Sequence, residues 1–409
     1  MNRQGAKFVS LFSGAGGLDL GLEMAGWQTA YASDADPAAV ETLKANAGTD
    51  IGGGRKAFEH ACLELADVRT LRATDILAKS GAARGDIQFL AGGPPCQSWS
   101  SAGHQLGFDD PRGRLFDDFV RLAAGLDVRW LMAENVRGLL TARGPDGQPG
   151  SALEHIRKIL LKSGFQTNIA LLNAADFGVP QRRVRLFIIG YRVGDAPPFP
   201  ALTHMKQPVG KAILDWVPLS GALARTGSLD KGEIIRPSGK LAQELEGIAP
   251  GSGVKSPGKA ERTRPGGHWG YKQGAFVADP ARPARTVTAS AQQDWIRDPV
   301  EGLRRLCSRE CAAIQSFPPE WKFAGNLAAK YRLIGNAVSP LLAKAIGGKL
   351  LDFTEQSQKA TAARLDMIVP LPEKLAGHIR YTAREEASNG KSRREAPRRR
   401  QTGAALAAR

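Results

Sequence analysis

A cysteine stands in the run Gly92-Gly93-Pro94-Pro95-Cys96-Gln97-Ser98-Trp99-Ser100. The apolar stretch Ile87 to Ala91 before it reads as a buried strand, which sets the Cys96 thiol at the strand's carboxyl end. Two prolines fix the backbone ahead of the thiol, and two glycines let a ligand approach closely. A lone cysteine is usually a small core hydrophobe, but these polar, Gly/Pro-rich surroundings argue for an accessible, reactive thiol. Glu134-Asn135-Val136 ends a second apolar stretch, Trp130 to Ala133, so its carboxylic acid falls on the same rim. The plainer alternative for Glu134 is a cap on the next turn. Gln181-Arg182-Arg183-Val184-Arg185 precedes a third stretch, Leu186 to Gly190. Strand alternation puts Gln181, Arg183 and Arg185 on one face, where arginines serve as anion ligands.

A second set of residues suits a nucleotide-like ligand. Phe12-Ser13-Gly14-Ala15-Gly16-Gly17-Leu18-Asp19 follows a predicted strand and opens a predicted helix. The dinucleotide fingerprint wants glycine where this chain has Asp19, so a pyrophosphate there would meet a carboxylate. S-adenosylmethionine has no phosphate and escapes that objection. Asp34 ends the second strand, where a carboxylate can accept from both ribose hydroxyls. Asp67 falls at the expected end of a third strand, placed to accept from an adenine amino group. Taken alone, each of these carboxylates reads more readily as a helix cap or a solvated group.

These residues need a sheet to bring them together. Strands are predicted at Phe8 to Phe12, Gln28 to Ser33, Ile87 to Ala91, Trp130 to Ala133 and Leu186 to Gly190. Helices are predicted at Leu18 to Ala25, Pro37 to Asn46, Leu115 to Leu126 and Ala152 to Leu161, with Cys62 in a further helix. The alternation predicts an α/β fold, a doubly wound, mostly parallel sheet with helices on both faces. Ligands of such sheets sit at the carboxyl ends of the strands. The rhythm fails near Tyr191. From 191 to 282 the chain has 13 basic and 8 acidic residues, with Lys255, Lys259, Arg262, Arg264 and Lys272 gathered around Trp269 and Tyr271. Helical patterns return at Ser308 to Gln315 and Leu341 to Leu351. From Arg384 onward, 8 basic and 3 acidic residues with almost no large apolar ones predict a disordered tail.

The whole chain has 409 residues, 42% of them hydrophobic, which is ample for a buried core. Its net charge of +16 favours a polyanionic partner, most simply nucleic acid. Four cysteines exclude a disulfide framework. Cys307 and Cys311 read as packing residues, and no metal site is expected. The first residues show no targeting pattern, and no run reaches the roughly 18 to 20 apolar residues of a membrane span. A cytoplasmic, monomeric protein is expected.

Together the motifs resemble the DNA cytosine 5-methyltransferases over about Phe8 to Gly348. The matching pieces stand in that family's order: FSGAGG, the acidic strand ends, GGPPCQSWS, DPRGRLF at Asp110 to Phe116, ENV, QRRVR, RTVTAS at Arg285 to Ser290, RRLCSRECAAIQSFP at Arg304 to Pro318, and GNAVSP at Gly335 to Pro340. The resemblance implies a class I S-adenosylmethionine methyltransferase fold in two domains, the first of them discontinuous. Residues 1–192 and 320–355 would form the catalytic domain, residues 193–319 a smaller target-recognition domain, and residues 356–409 a basic, disordered tail.

The resemblance also assigns roles. Cys96 would add to carbon 6 of cytosine, making carbon 5 an enamine nucleophile. A protonated Glu134 at ring nitrogen 3 would quench the charge generated, and Arg183 would stabilise the adduct and the thiolate. Methylation, loss of the carbon 5 proton and elimination of Cys96 complete the reaction. The target base would be flipped from duplex DNA, and the segment holding Ser100, Ser101, Gly103 and Gly107 would close over it. Cofactor contacts carry over to Phe12, Gly14, Gly16, Gly17, Asp34, Asp67, Pro95, Leu115, Asn336 and Val338. The last two imply that the C-terminal helix returns beside the glycine turn. The family often has a large hydrophobic residue where this chain has Ala35. Gln97, Ser100, Gln181 and Arg185 would face the DNA, together with Lys255, Lys259, Arg262, Arg264 and Lys272. A cognate restriction endonuclease is the partner such an enzyme would have in a restriction–modification system. The competing readings are an RNA methyltransferase of the same family, a catalytically silent DNA-binding protein, and a nicotinamide oxidoreductase on the same sheet.

Overall fold

The computed structural model describes residues 5–95, 115–144, 146–208, 210, 212–258, 274–356, 362–363 and 365–395. Its first part alternates β1 (Lys7–Leu11), α1 (Gly17–Ala25), β2 (Gln28–Asp34), α2 (Pro37–Asn46), β3 (Cys62–Leu65), α3 (Ala73–Ser80), β4 (Ile87–Gly92), α4 (Leu115–Leu126), β5 (Trp130–Val136), α5 (Ser151–Lys162), β6 (Gln166–Asn173) and β7 (Val184–Tyr191). The seven strands form one sheet in the order β3-β2-β1-β4-β5-β7-β6. β1 to β5 run parallel, and β7 runs antiparallel to both β5 and β6. The strand order reverses between β1 and β4, so the crevice at their carboxyl ends is the natural ligand position. The glycine turn leaves β1 there, and Gly92-Gly93-Pro94-Pro95 leaves β4 beside it.

Local chemistry accounts for the element ends. Asp36 caps α2 by accepting from the Ala38 N–H, and Pro37 occupies the first helical position. α1 follows Gly16 at φ 76 and stops at Gly26 at φ 113, both left-handed. Two differences from expectation concern edge strands. Cys62, predicted helical, opens β3, a four-residue edge strand paired only with β2. β6, not predicted, is the opposite edge and forms through its antiparallel ladder with β7.

Past β7 the elements shorten. β8 (His204–Met205) pairs with β9 (Leu214–Asp215), followed by α6 (Leu219–Leu223) and α7 (Gly239–Glu246). A four-stranded sheet then joins β10 (Ser252–Gly253), β11 (Phe276–Val277), β12 (Trp295–Asp298) and β13 (Gly302–Arg305) around Leu245, Ile248, Val277 and Trp295. Buried Arg304 clamps this region with two bonds to Glu310, at 2.7 and 2.8 Å, and two to Asp298, at 2.7 and 3.0 Å. The chain finally returns through α8 (Ser308–Ile314), α9 (Leu327–Asn336), α10 (Pro340–Gln356) and α11 (Glu373–Glu395).

The return is intimate. Cys311, Ile314, Phe317 and Trp321 share one apolar cluster with Ala15, Leu20 and Leu43, so α8 packs with the first part of the chain. α10 lies along α1, where a Cβ on Gly21 would sit 2.3 Å from the Pro340 carbonyl oxygen. The tail expected to be disordered is, within its described residues, a strap. The Ala363 N–H bonds the Arg192 carbonyl at 2.8 Å, and the Gln166 side chain bonds the Met367 carbonyl at 2.8 Å. Leu375 is buried and Ile379 packs on the same core as α5, which fixes the start of α11 despite its charge content. Residues 396–409 lie outside the described residues. Among the described residues, no helix is long and apolar enough to cross a membrane.

Candidate active site

The glycine turn is built for close approach. Phe12, Gly14 and Gly16 have φ of 57, 55 and 76, a strained left-handed run at Phe12 that the turn enforces. Among the described residues no heavy atom outside the adjoining backbone lies within 4 Å of where a Gly14 Cβ would stand, so the outer face of the turn is open to them. The inner face is closed by the far end of the chain. A Cβ on Gly17 would lie 2.3 Å from the Val338 carbonyl oxygen and 2.9 Å from the Phe317 ring. The Trp321 indole also donates to the Ala15 carbonyl at 3.1 Å. Val338 therefore walls the turn, with Asn336 exposed two residues before it.

These residues fit S-adenosylmethionine. Asp34 ends β2 and accepts from the Gly14 N–H at 2.8 Å and the Asp36 N–H at 2.9 Å, which leaves acceptor capacity for a ribose. Burial raises its proton affinity, and those two N–H groups oppose the rise. Asp67 lies two residues beyond β3 and is clamped by Arg69 through its side chain and its backbone N–H at 3.0 Å. That clamp holds the carboxyl below its usual range. An adenine amino group reaching Asp67 must displace an Arg69 N–H. Pro95 and Leu115 are half-buried at the ends of the segment 96–114, which lies outside the described residues together with Cys96, Gln97 and Ser100.

The acid and the arginines sit on the adjoining rim. Gly92 pairs with Ala133, so the β4 exit lies beside Glu134. A Cβ on Gly93 would be 3.6 Å from Glu134 Oε2, which places the carboxyl against the backbone leading to Cys96. Asn135 fixes that backbone by donating to the Pro94 carbonyl at 3.1 Å. Glu134 is buried, and burial pushes its carboxyl up towards protonation; Arg185, with Nε 3.1 Å from Oε1, and then Arg183 pull it back. Arg183 is 2% exposed and donates to the Val287 carbonyl at 3.2 Å and the Gly335 carbonyl at 2.9 Å. Its Nε has no hydrogen-bond partner among the described residues. Burial pulls its proton affinity well down, yet a guanidinium starts so high that it keeps its charge.

Two expected DNA contacts face inward in this structure. Gln181 is fully buried, because its amide accepts from the Val287 N–H at 2.8 Å and donates to Gln315 Oε1 at 2.9 Å. Arg185 is turned to Glu134. Lys255 is exposed on the turn after β10, whereas Lys259, Arg262, Arg264 and Lys272 lie outside the described residues. Gln315 and Asn135 were not singled out from the sequence. Their signal was only membership of the motifs QSFP and ENV. Of the other cysteines, Cys311 and Cys307 are buried, and burial pushes both thiols up, Cys307 to about 12. Among the described residues no cluster could hold a metal.

The family model described as C-5 cytosine-specific DNA methylase matches residues 6–352. Type II methyltransferase M.Sau96I of Staphylococcus aureus is 34% identical over 84% of this chain and 75% of its own length. Type II methyltransferase M.Eco47II of Escherichia coli is 32% identical over 86% of this chain and 80% of its own. The solved structure of the S. pombe Dnmt2 methyltransferase superposes with a TM-score of 0.57 at 16% identity, covering 86% of this chain and 99% of that one. That likeness confirms the class I methyltransferase fold. With the glycine turn and the exit of β4 side by side at the switch point of its sheet, the chain belongs to the C-5 cytosine-specific DNA methylases, enzymes that take their methyl group from S-adenosylmethionine.

Proposed function

We propose that this enzyme methylates carbon 5 of a cytosine flipped out of a specific duplex DNA sequence, through a covalent Cys96 adduct at carbon 6. The observation that carries the reading is the convergence of Glu134 and Arg183 on the rim that the Gly93-Pro94-Pro95 segment leaves towards Cys96. The Cys96 thiolate adds to carbon 6, and Glu134 gives its proton to ring nitrogen 3. Its burial favours the protonated form this step needs. The fixed charge of Arg183 stabilises the adduct. Bound S-adenosylmethionine supplies an electrophilic methyl group. After carbon 5 takes it, a base removes the carbon 5 proton, Cys96 is eliminated as thiolate, and Glu134 takes back the ring nitrogen 3 proton. Glycine backbone at 14 and 16, Asp34, Asn336 and Val338 would hold the cofactor.

The type II names of the relatives support a modification enzyme of a restriction–modification system. In this reading it acts in the cytoplasm as a monomer beside a cognate endonuclease. Residues 193–319 would form the recognition side, with base contacts between Lys255 and Lys272. Replacing Arg264 should change DNA affinity or sequence preference, and unchanged values of both would count against that placement. The direct test gives the protein tritiated S-adenosylmethionine and unmethylated genomic DNA, beside Cys96→Ser. Label lost with Cys96→Ser supports the reading, and bisulfite sequencing then reads the target. Label in transfer RNA instead of DNA would move the substrate to RNA, and equal labelling by Cys96→Ser would overturn the adduct.

A further inference from the structure

We infer that Gln315, in the loop after α8, is a positioning residue that couples the cofactor side of the site to the catalytic arginine. Two segments far apart in sequence, at Gln181 and at 334–339, meet at its side chain, and Val287 joins them through Gln181. Gln315 Oε1 accepts from Gln181 Nε2 at 2.9 Å and from the Ser339 hydroxyl at 2.8 Å. Gln315 Nε2 donates to the carbonyls of Ile334 at 2.8 Å and Ala337 at 3.3 Å. Gln181 in turn accepts from the Val287 N–H. Gln181, Gln315 and Ser339 are buried to within 1% of complete, so water cannot substitute for these bonds. The chain of amides has one direction, N–H to carbonyl, from Val287 through Gln181 and Gln315 to Ile334 and Ala337.

The peptide groups held by this chain adjoin those that hold Arg183. Val287 offers its N–H to Gln181 and its carbonyl to Arg183, while Gly335, the other acceptor of Arg183, lies between Ile334 and the Asn336–Val338 segment. A Cβ on Gly335 would lie 2.2 Å from the Thr288 carbonyl group, so the two segments have no slack between them. A movement of 334–338 on cofactor binding must therefore pass to Arg183, and the amide pair fixes by how much. The inference rests on the cofactor and arginine roles proposed above.

The test is a double-mutant cycle in the full-length chain with Gln181→Met and Gln315→Met, each of similar volume without the polar groups. S-adenosylmethionine affinity is read by calorimetry and DNA methylation by single turnover at saturating cofactor. Each single variant should weaken cofactor binding and slow the single turnover by about tenfold, and the second substitution should add little to the first. Additive effects on affinity would overturn the coupling. So would unchanged affinity and per-site rate with only a lower melting temperature, since that is mere structural support. Should Gln315→Met not fold, Gln315→Glu retains both acceptor bonds and loses the donors to Ile334 and Ala337. It should show the same paired losses, and parent-like affinity and rate would refute the role. If the parent labels no DNA, the proposed function fails, while the calorimetric arm still decides whether Gln181 and Gln315 are coupled.

Discussion

Asp19 offers a perturbation whose size follows from burial. It replaces the third glycine of a dinucleotide turn, lies in the first turn of α1 and is fully buried. Neither carboxylate oxygen has a hydrogen-bond partner within normal geometry among the described residues. Burial raises its pKa from 3.8 to about 6, with Ser10, its own N–H and Ser13 opposing and Asp34 adding to the rise. Folding thus favours the protonated acid. The stability it contributes is fully present below about pH 4 and is lost as pH rises through 6. Two powers of ten in proton affinity correspond to about 3 kcal/mol.

Asp19→Asn keeps the shape and removes the titration. Relative to the parent, the variant should gain about 1 kcal/mol near pH 4.5 and about 3 kcal/mol near pH 8. The helix N-terminus favours a negative charge and reduces the gain by about 0.3–1 kcal/mol. Urea denaturation of parent and variant at several pH values measures the difference directly. A gain independent of pH would show that Asp19 does not titrate between the two states. A loss at pH 8 would show that the carboxylate has a partner in solution and that the burial argument is wrong.

Glu134→Gln should leave the melting temperature near that of the parent and slow methylation roughly 10²- to 10⁴-fold, since the amide cannot give a proton to the base; single-turnover kinetics would reveal a parent-like rate if Glu134 only supports the loop. Gly17→Ala should abolish measurable S-adenosylmethionine binding, because its Cβ would stand 2.3 Å from the Val338 carbonyl oxygen, and calorimetry showing parent-like affinity would refute the pinch. Ending the chain at 361 should lower stability by at least about 2 kcal/mol from the loss of buried Leu375 alone. Ending it at 383 should spare stability and lessen the salt dependence of DNA binding, read from the slope of affinity against salt; an unaltered slope would remove the tail from the interface.

How much of this was legible depended on whether the cause was local. α2 and α4 appear with the predicted ends, since a proline at the first helical position and a strongly amphipathic run carry their own instructions. The parallel strands β1, β2, β4 and β5 were legible as apolar runs because both of their faces are covered. β6 reads Gln-Thr-Asn-Ile-Ala-Leu-Leu-Asn, without clean alternation, and is a strand only because β7 pairs with it. Cys62 sits in a four-residue edge strand, too short to outweigh a helical pattern. Around Gln181, arginines suggested an exposed anion-binding face, but its partner Gln315 is 134 residues away and no local pattern announces it. α11 was hidden by charge composition, although Leu375 and Ile379 stand four apart, the helical spacing that seats it on the core.

The distance between cause and effect along the chain also orders the assembly of the site. Residues up to 192 contain the Cys96, Glu134 and Arg183 of the proposed mechanism, and the whole seven-stranded sheet. They do not contain the two carbonyls that hold Arg183, which belong to Val287 and Gly335. Nor do they contain the wall of the glycine turn, which belongs to Phe317 and Val338. A fragment ending there would leave a buried guanidinium without acceptors, at a cost of several kcal/mol, so Arg183 would turn out to water. The glycines at 17 and 21 mark where the two ends of the chain touch backbone to backbone, at distances no side chain permits, and Gly335 meets Thr288 as closely. The first part of the chain can therefore supply the reacting groups, but their geometry is set only once the C-terminal return has docked.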